Sequence, residues 1–512
     1  GCLKMDFMIQ YSCNKGGVMN HQLTPYFTKL TEYAKKDRVP LDVPGHKMGF
    51  FHNDMISVLG ELLFRLDVNA PVGLDNLNVP RGVIKEAQAL FADAFQAEHA
   101  FFLTGGTTLG ILALIMSTAK AKEKIIMPRN VHKSIISALI MSGAIPIFVE
   151  PVIDEDLGIA NHMPLSALKK QIALHPDAKA VLVINPTYFG VASNMKEIVD
   201  IAHQHHMLVL ADEAHGSHMV FSDELPITAM QAGADLSATS IHKTSGSLTQ
   251  SSAILAQGSR FDYQRLVATI HMVQSTSPSA LLLASLDVAR KAMYFQASEK
   301  IHALLPKVRD IIHKINQLKG LKAYNKQDFL NQGATHFDET KLIIKVSGLG
   351  LTGFDMYHIL SEKFDIQVEL AETNLVLCVL SVGTTQKHLE RLYVACKNLS
   401  EQYGDQVLNV ASYKPKGNFP EAYVRPRSAY HAPTRNVKYE DAVGEIAAES
   451  VMIYPPGIPI LIPGEIIDQA LVDELLFYIS QGSTILSESE QGYFKVVDKI
   501  TWPKWEEIED EL

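Results

Sequence analysis

The sequence predicts an α/β protein built on a mostly parallel sheet, and two observations carry that prediction. From about residue 80 to 255, helical and strand-like segments alternate, as they do in successive βαβ units. Runs such as Ala180–Ile184 and residues 207–211 are apolar without polar alternation, which is expected of strands covered on both faces.

Taken in order, helical periodicity runs through residues 83–95, and a short apolar piece, His99–Leu103, leads to a Gly-Gly turn and an apolar helix. Residues 124–127 read as a strand, about 131–142 as a helix and Ile145–Val149 as the next strand. After a long helical stretch at 279–318 the pattern changes. Residues 341–346 alternate like a half-exposed strand, a helix is expected near 354–363, and 366–370 and 375–380 read as further strands, together a smaller α+β module. A polar stretch at 413–434 precedes a segment in which Pro455, Pro456, Pro459 and Pro463 forbid a regular helix and fix an extended path. The acidic tail is expected to fray.

Composition narrows the function. A chain of 512 residues is long enough for about three to four structural units, and 47% hydrophobic with 20% charged residues is ordinary globular usage. A net charge of −10 without a Lys/Arg-rich block argues against nucleic acid or an anionic membrane as the main partner. Cys2, Cys13, Cys378 and Cys396 include no CxxC pair, so neither a disulfide framework nor a zinc finger is expected, and a reducing cytoplasm fits. Cys378, within an apolar run, reads as a small core residue. Residues 100–119 carry no charge, but Thr104 to Thr108 interrupt them, so a strand, loop and helix are expected there rather than a membrane span. The first eighteen residues lack the apolar core of a signal peptide and read as a leader or appended remnant, with the working protein starting near Met19.

Three motifs carry competing readings. Residues 348–353 match GxGxxG, a dinucleotide fingerprint in form. The alternating strand before them and the lack of further βαβ units after them favour a tight turn. Asp212 to His215 spell a helicase-like box, but no Gly-Lys dipeptide exists to form a Walker A loop. His203, His205 and His206 could suggest a metal, but their place at a helix end before a buried strand favours a solvated turn.

Four features of the α/β region share one explanation. Thr104, Gly105, Gly106, Thr107 and Thr108 directly precede an apolar helix, and glycines, hydroxyls and a helix N-terminus together cradle a phosphate. His132 follows a strand at the start of a helix. Asp212 ends an apolar strand, where parallel sheets bind ligands, and a carboxylate there needs a cation or donor. Lys243 lies at another strand end, thirty-one residues further on. Phosphate cradle, ring-sized partner, buried acid and lysine together describe a pyridoxal 5'-phosphate site, in which the lysine forms the Schiff base and the acid keeps the pyridine nitrogen protonated.

With these residues in view, the sequence resembles the bacterial ornithine/lysine/arginine decarboxylases, and among them the short Gram-positive arginine decarboxylases that lack an N-terminal wing domain. The likeness runs from about Thr24 past Glu465. It is carried by residues 43–49, 128–134, 183–190, 212–216, 238–243, 281–290 and 454–459. The resemblance implies a fold type I, aspartate aminotransferase-like large domain at 66–300, a small α+β domain at 301–410 and a C-terminal decarboxylase domain at 411–512, after a leader at 1–18 and an N-terminal segment at 19–65. By motif, Lys243 would be the Schiff-base lysine and Asp212 the pyridinium partner. His132 would stack on the ring and Ala214 would pack on its other face. Thr107, Thr108, Ser240 and His242 would hold the phosphate, and Thr187 and His215 would lie near the ring hydroxyl or substrate carboxylate. Ser275 and Thr276 match a segment that reaches the neighbouring subunit's phosphate site, and Glu465 would meet the distal cation of the substrate. Asn69, Ala70 and Ser428 depart from the family's usual acidic pattern.

The implied activity is decarboxylation of L-arginine to agmatine and carbon dioxide in polyamine biosynthesis, with lysine or ornithine as alternative substrates. A pyridoxal aminotransferase and a nicotinamide-dependent dehydrogenase are the remote alternatives. The resemblance further implies a cytoplasmic homodimer or higher homo-oligomer without metal.

Overall fold

A computed structural model describes residues 19–404, 419–454, 458–480 and 484–502. Its largest sheet has seven strands, in the order His99–Leu103, Ser252–Ala256, Leu236–Thr239, Leu208–Glu213, Ala180–Ile184, Lys124–Pro128 and Ile145–Val149. Six run in one direction, and Ser252–Ala256 alone is reversed. The expected mostly parallel sheet is therefore present.

The uniform apolarity of its strands follows from having two covered faces. Val181, Val183, Val209 and Ala211 enter one apolar cluster with Ile198 and Val199 of the helix Met195–Gln204. Ala180, Leu182 and Leu210 enter another with Ile111, Leu114 and Ile115 of the helix Gly106–Thr118. Successive side chains of a strand point to opposite faces, so a strand packed on both sides needs an apolar residue at every position.

A second, antiparallel sheet has the order Lys322–Ala323, Lys341–Lys345, Leu375–Val379, Leu370–Ala371. The helix Ala280–Ile315 links the two sheets, its first half in the core of the large sheet and Leu304 to Ile315 in the core of the small one. The expected boundary at residue 300 thus falls inside a continuous helix.

Two expectations need correction here. Residues 341–344 are all buried rather than alternately exposed. Leu342 and Ile344 face one core, while Ile343 faces a separate cluster with Phe189, Tyr324 and Phe337, and Lys341 is buried because Asp338 pairs with it at 3.2 Å. Of the strand expected at 366–370, only Leu370 pairs, within Leu370–Ala371. The preceding helix ends on Asp365 in the left-handed region, φ +50°, and the Ile366 amide is used to close that helix on the Leu360 carbonyl.

The 348–353 glycines do not open a crossover in a parallel dinucleotide-binding sheet, since every neighbouring pair of strands in their sheet is antiparallel. A Cβ on Gly353 would stand 2.1 Å from both the Glu372 and Leu375 carbonyl oxygens, so this glycine serves close backbone packing. His203 Nε2 donates to Asp235 Oδ2 at 2.9 Å, and no three His, Cys, Asp or Glu residues gather as a metal site among the described residues. Residues 100–119 form a strand, a turn and a helix, and no helix among the described residues is long and apolar enough to cross a membrane. Cys378 and Cys396 are free and buried.

Towards the C-terminus, Val451–Tyr454 pairs with Ile458–Leu461 and with Thr484–Leu486, and Thr434–Lys438 pairs with Tyr493–Val497. Pro459 sits where the register shifts beside Val451 and Met452, a position that tolerates a missing N–H. The leader and the acidic tail lie outside the described residues.

Candidate active site

Five strands of the large sheet end on the same side, and the residues just past those ends meet in one cavity of about 740 Å³. Ligands of parallel sheets bind outside the carboxyl ends of the strands because the loops there are free to converge. After His99–Leu103 come Thr107 and Thr108; after Lys124–Pro128, His132; after Ala180–Ile184, Thr187 and Tyr188. Leu208–Glu213 contributes Asp212, followed by Ala214 and His215, and Leu236–Thr239 is followed by Ser240, His242 and Lys243.

Strand alternation decides which of two adjacent acids enters the cavity. Asp212 shares a face with Leu210, the face covered by Gly106–Thr118, and lines the cavity. Glu213 points the other way and accepts hydrogen bonds from the Asn185 side chain, the Ala229 amide and the Ser237 hydroxyl. Burial pushes the Glu213 carboxyl up to about 7 against these donors. Burial also raises Asp212, opposed by the Ala214 amide, which donates at 3.1 Å, and by Lys243.

Lys243 sits in the short helix Ile241–Thr244, open to the cavity but enclosed by protein on its other sides. That enclosure lowers its pKa, with Asp212 and Glu369 pulling the other way. Its Nζ stands 2.9 Å from His215 Nε2 and 5.7 Å from the centre of the Tyr188 ring. Burial, Lys243 and Lys341 hold the His215 imidazole well below its ordinary value. Its Nδ1 is buried without a hydrogen-bond partner.

At the other end of the cavity, Gly106 at φ +73° turns the chain into the helix Gly106–Thr118. Gly110 lets that helix lie on the sheet, since a Cβ there would already stand 3.0 Å from Ala238 Cβ. Thr107 Oγ1 lies 2.6 Å from Ser240 Oγ, which joins two strand ends at the helix N-terminus. His132 caps Lys133–Ser142 by accepting from the Ser134 amide at Nδ1, leaving the ring proton on Nε2. Burial, Lys243 and Lys133 lower its pKa to about 4, so the ring is neutral at pH 7.

Three expected residues are elsewhere. Ser275 and Thr276 are exposed and do not line this cavity. Glu465 is a correction. It does not line the cavity; its carboxylate, 0% exposed, accepts from Arg129 Nε at 2.7 Å and Arg129 Nη2 at 2.8 Å.

Other residues around the site were not singled out from sequence. Asp338 pairs with Lys341 at 3.2 Å and with His218, and Lys341 lies behind the His215 carbonyl. Burial alone would raise Asp338, but Lys341 and His218 hold it well below the usual carboxylate range. Tyr188 and, from the small-sheet side, Phe354, Tyr357, His358 and Glu369 complete the lining. The only sequence signal was the adjacency of Tyr188 to Thr187; the others are more than a hundred residues from the lysine or the histidines they face.

These residues suit pyridoxal phosphate. Hydroxyls at a helix N-terminus would meet a phosphate and Asp212 a protonated ring nitrogen, and the cavity holds an orphan imidazole nitrogen beside a lysine of lowered pKa.

Comparison with known proteins agrees. Residues 24–388 match the Orn/Lys/Arg decarboxylase major domain, and residues 409–484 match the C-terminal domain of the same family. An arginine decarboxylase of Bacillus subtilis is 42% identical over 91% of this chain and 95% of its own length. One from Halalkalibacterium halodurans is 43% identical over 87% of this chain and 91% of its own length. Among solved structures, a lysine decarboxylase of Francisella novicida superposes with a TM-score of 0.80 at 20% identity, covering 93% of this chain and 81% of that one, which shows the shared fold. Enzymes of this family use pyridoxal phosphate. With both of its modules matched and its strand-end residues gathered in one cavity, the chain belongs to the Orn/Lys/Arg decarboxylase family.

Proposed function

We propose that this protein decarboxylates L-arginine to agmatine and carbon dioxide, as a step towards polyamines. The observation that carries the reading is the meeting of Asp212, Lys243 and His215 in one cavity, in a chain about 42% identical over nearly full length to proteins named arginine decarboxylase.

When bound, pyridoxal phosphate supplies an aromatic electron sink for the bond broken at the substrate Cα. Thr107, Thr108, Ser240, His242 and the helix N-terminus bind its phosphate. Asp212 holds the proton on the ring nitrogen, and burial sharpens that pairing because the local dielectric is low. His132, neutral, and Ala214 would flank the ring and exclude water from it. Lys243 would hold the cofactor at Nζ, and its free amine is the group placed to donate the proton that replaces the carboxylate on Cα. His215 Nε2, within hydrogen-bond distance of that Nζ, orients it by accepting from it, and the proton consumed is replaced from solvent. The Cα–carboxylate bond breaks, carbon dioxide leaves, and one proton taken up at Cα balances the step.

The active unit is a cytoplasmic homodimer, with Ser275 and Thr276 of each subunit reaching the partner's phosphate site. Their exposure away from the cavity of their own chain supports this reading. Carbon dioxide release measured with arginine, lysine and ornithine tests the substrate; the proposal requires arginine to be fastest at equal concentration, and preference for either other amino acid refutes it. Sedimentation at assay concentration tests the assembly, and a stable, active monomer refutes the shared site.

A further inference from the structure

A basic amino acid carries its distal cation several bonds away from the carbon that reacts, so the cavity must present an acid away from the cofactor. Among the described residues that line it, the carboxylates are those of Asp212 and Glu369. Asp212 lies at the sheet, 6% exposed, where it faces the cofactor ring. Glu465 is fully engaged by Arg129 and the Ile462 amide. Glu369 therefore remains, lining the cavity from the small-sheet side.

Glu369 precedes the strand Leu370–Ala371, and its amide is fixed by the Leu377 carbonyl at 2.9 Å. The Tyr188 hydroxyl donates to its Oε1. Tyr188 in turn lies 4.2 Å, centroid to centroid, from the His215 ring. The carboxylate is thus oriented from both sides of the cavity, by the small sheet through its backbone and by the large sheet through Tyr188. It shares its wall with Tyr357, His358 and Phe354. Aromatic faces beside a carboxylate suit a planar guanidinium, which stacks and donates two parallel hydrogen bonds.

We propose that Glu369 is the specificity-determining residue that receives the distal guanidinium of the substrate, with Tyr188 as the positioning residue that fixes its carboxylate. This rests on the arginine decarboxylase reading above. It names a residue that acts on one end of the substrate from the small-sheet side of the cavity.

The test compares L-arginine with L-citrulline, whose ureido group has nearly the same shape without the charge. Holoenzyme and its Glu369→Gln and Glu369→Asp variants are assayed for kcat/KM on both; where citrulline turnover is below detection, its inhibition constant against arginine gives the ratio. Losing a charge-assisted hydrogen bond lowers the arginine-to-citrulline ratio by about ten- to a hundredfold in Glu369→Gln. Glu369→Asp, which keeps the charge, retains more of the preference than Glu369→Gln, and both variants keep the cofactor bound. A wild-type ratio in Glu369→Gln overturns the assignment, as does an equal loss on both substrates, which would mark a merely structural role. A wild-type enzyme that releases no carbon dioxide from any basic amino acid overturns the underlying reading instead, and the assignment with it.

Discussion

The pair Arg129–Glu465 ties the strand end at Pro128 to the C-terminal module, and its removal has a calculable consequence. Arg129 is 1% and Glu465 0% exposed. The guanidinium donates to both carboxylate oxygens and to the Pro459 carbonyl, and the Ile462 amide donates to Glu465 Oε2. Glu465→Gln keeps the volume but leaves a guanidinium with two neutral carbonyl acceptors, the Gln amide oxygen and the Pro459 carbonyl, and no bonded counter-charge in a dry site. Breaking one side of such a pair costs about 3–5 kcal/mol, chiefly the desolvation of the stranded charge. Both tryptophans of the chain, Trp502 and Trp505, are in its C-terminal region, and Trp502 packs on the cluster of Ala429, Ile446 and Val497. Tryptophan fluorescence therefore follows that module. With a urea dependence of about 1–3 kcal/mol per molar, its midpoint falls by at least about 1 M in Glu465→Gln. Arg129→Met combined with Glu465→Gln leaves no buried unpaired ion and recovers most of the loss. An unshifted midpoint in the single variant, or a double variant no more stable than the single, refutes the reasoning.

Further outcomes follow from the same geometry. Lys243→Ala loses turnover by about 10²–10⁴-fold or more, and borohydride no longer fixes the cofactor to the chain; wild-type turnover in this variant is incompatible with the site described. His132, with its folded pKa near 4 against an ordinary 6.5, contributes stability that is complete above pH 6.5 and is lost as pH falls towards 4. The melting-temperature advantage of wild type over His132→Asn, which preserves the helix cap, should shrink over that window. Glu213, raised from 4.5 to about 7, has the opposite sign: its stabilising effect is complete below pH 4.5 and is lost as pH rises through 7. Wild type should therefore lose stability relative to Glu213→Gln between pH 5 and 8 in thermal melts, and parallel curves would contradict the shift.

Much of this protein could be read from local chemistry. An apolar residue at every position of Ala180–Ile184 announces a strand covered on both faces, Asp212 stands near the end of the strand Leu208–Glu213, and Ser240 and Lys243 come within four residues of the end of Leu236–Thr239. Because parallel strands deliver their ends to one side, residues separated by a hundred positions become neighbours by a rule that needs no coordinates. Charge misled at Lys341, since a lysine in a strand reads as solvent-facing until its partner Asp338 and the second core behind Ile343 are seen. Glu465 misled for the same reason: its carboxylate is spent on Arg129, 336 positions away. Which acid of Asp212 and Glu213 faces the cavity depends on which side of the sheet the helix Gly106–Thr118 covers, and that Tyr188 holds Glu369 across the cavity depends on how the small sheet packs against the large one. Sequence determined the elements and the reactive groups because backbone propensity and burial pattern are local. Tertiary structure alone decided which charges neutralise one another, because a buried ion's partner is chosen by distance in space.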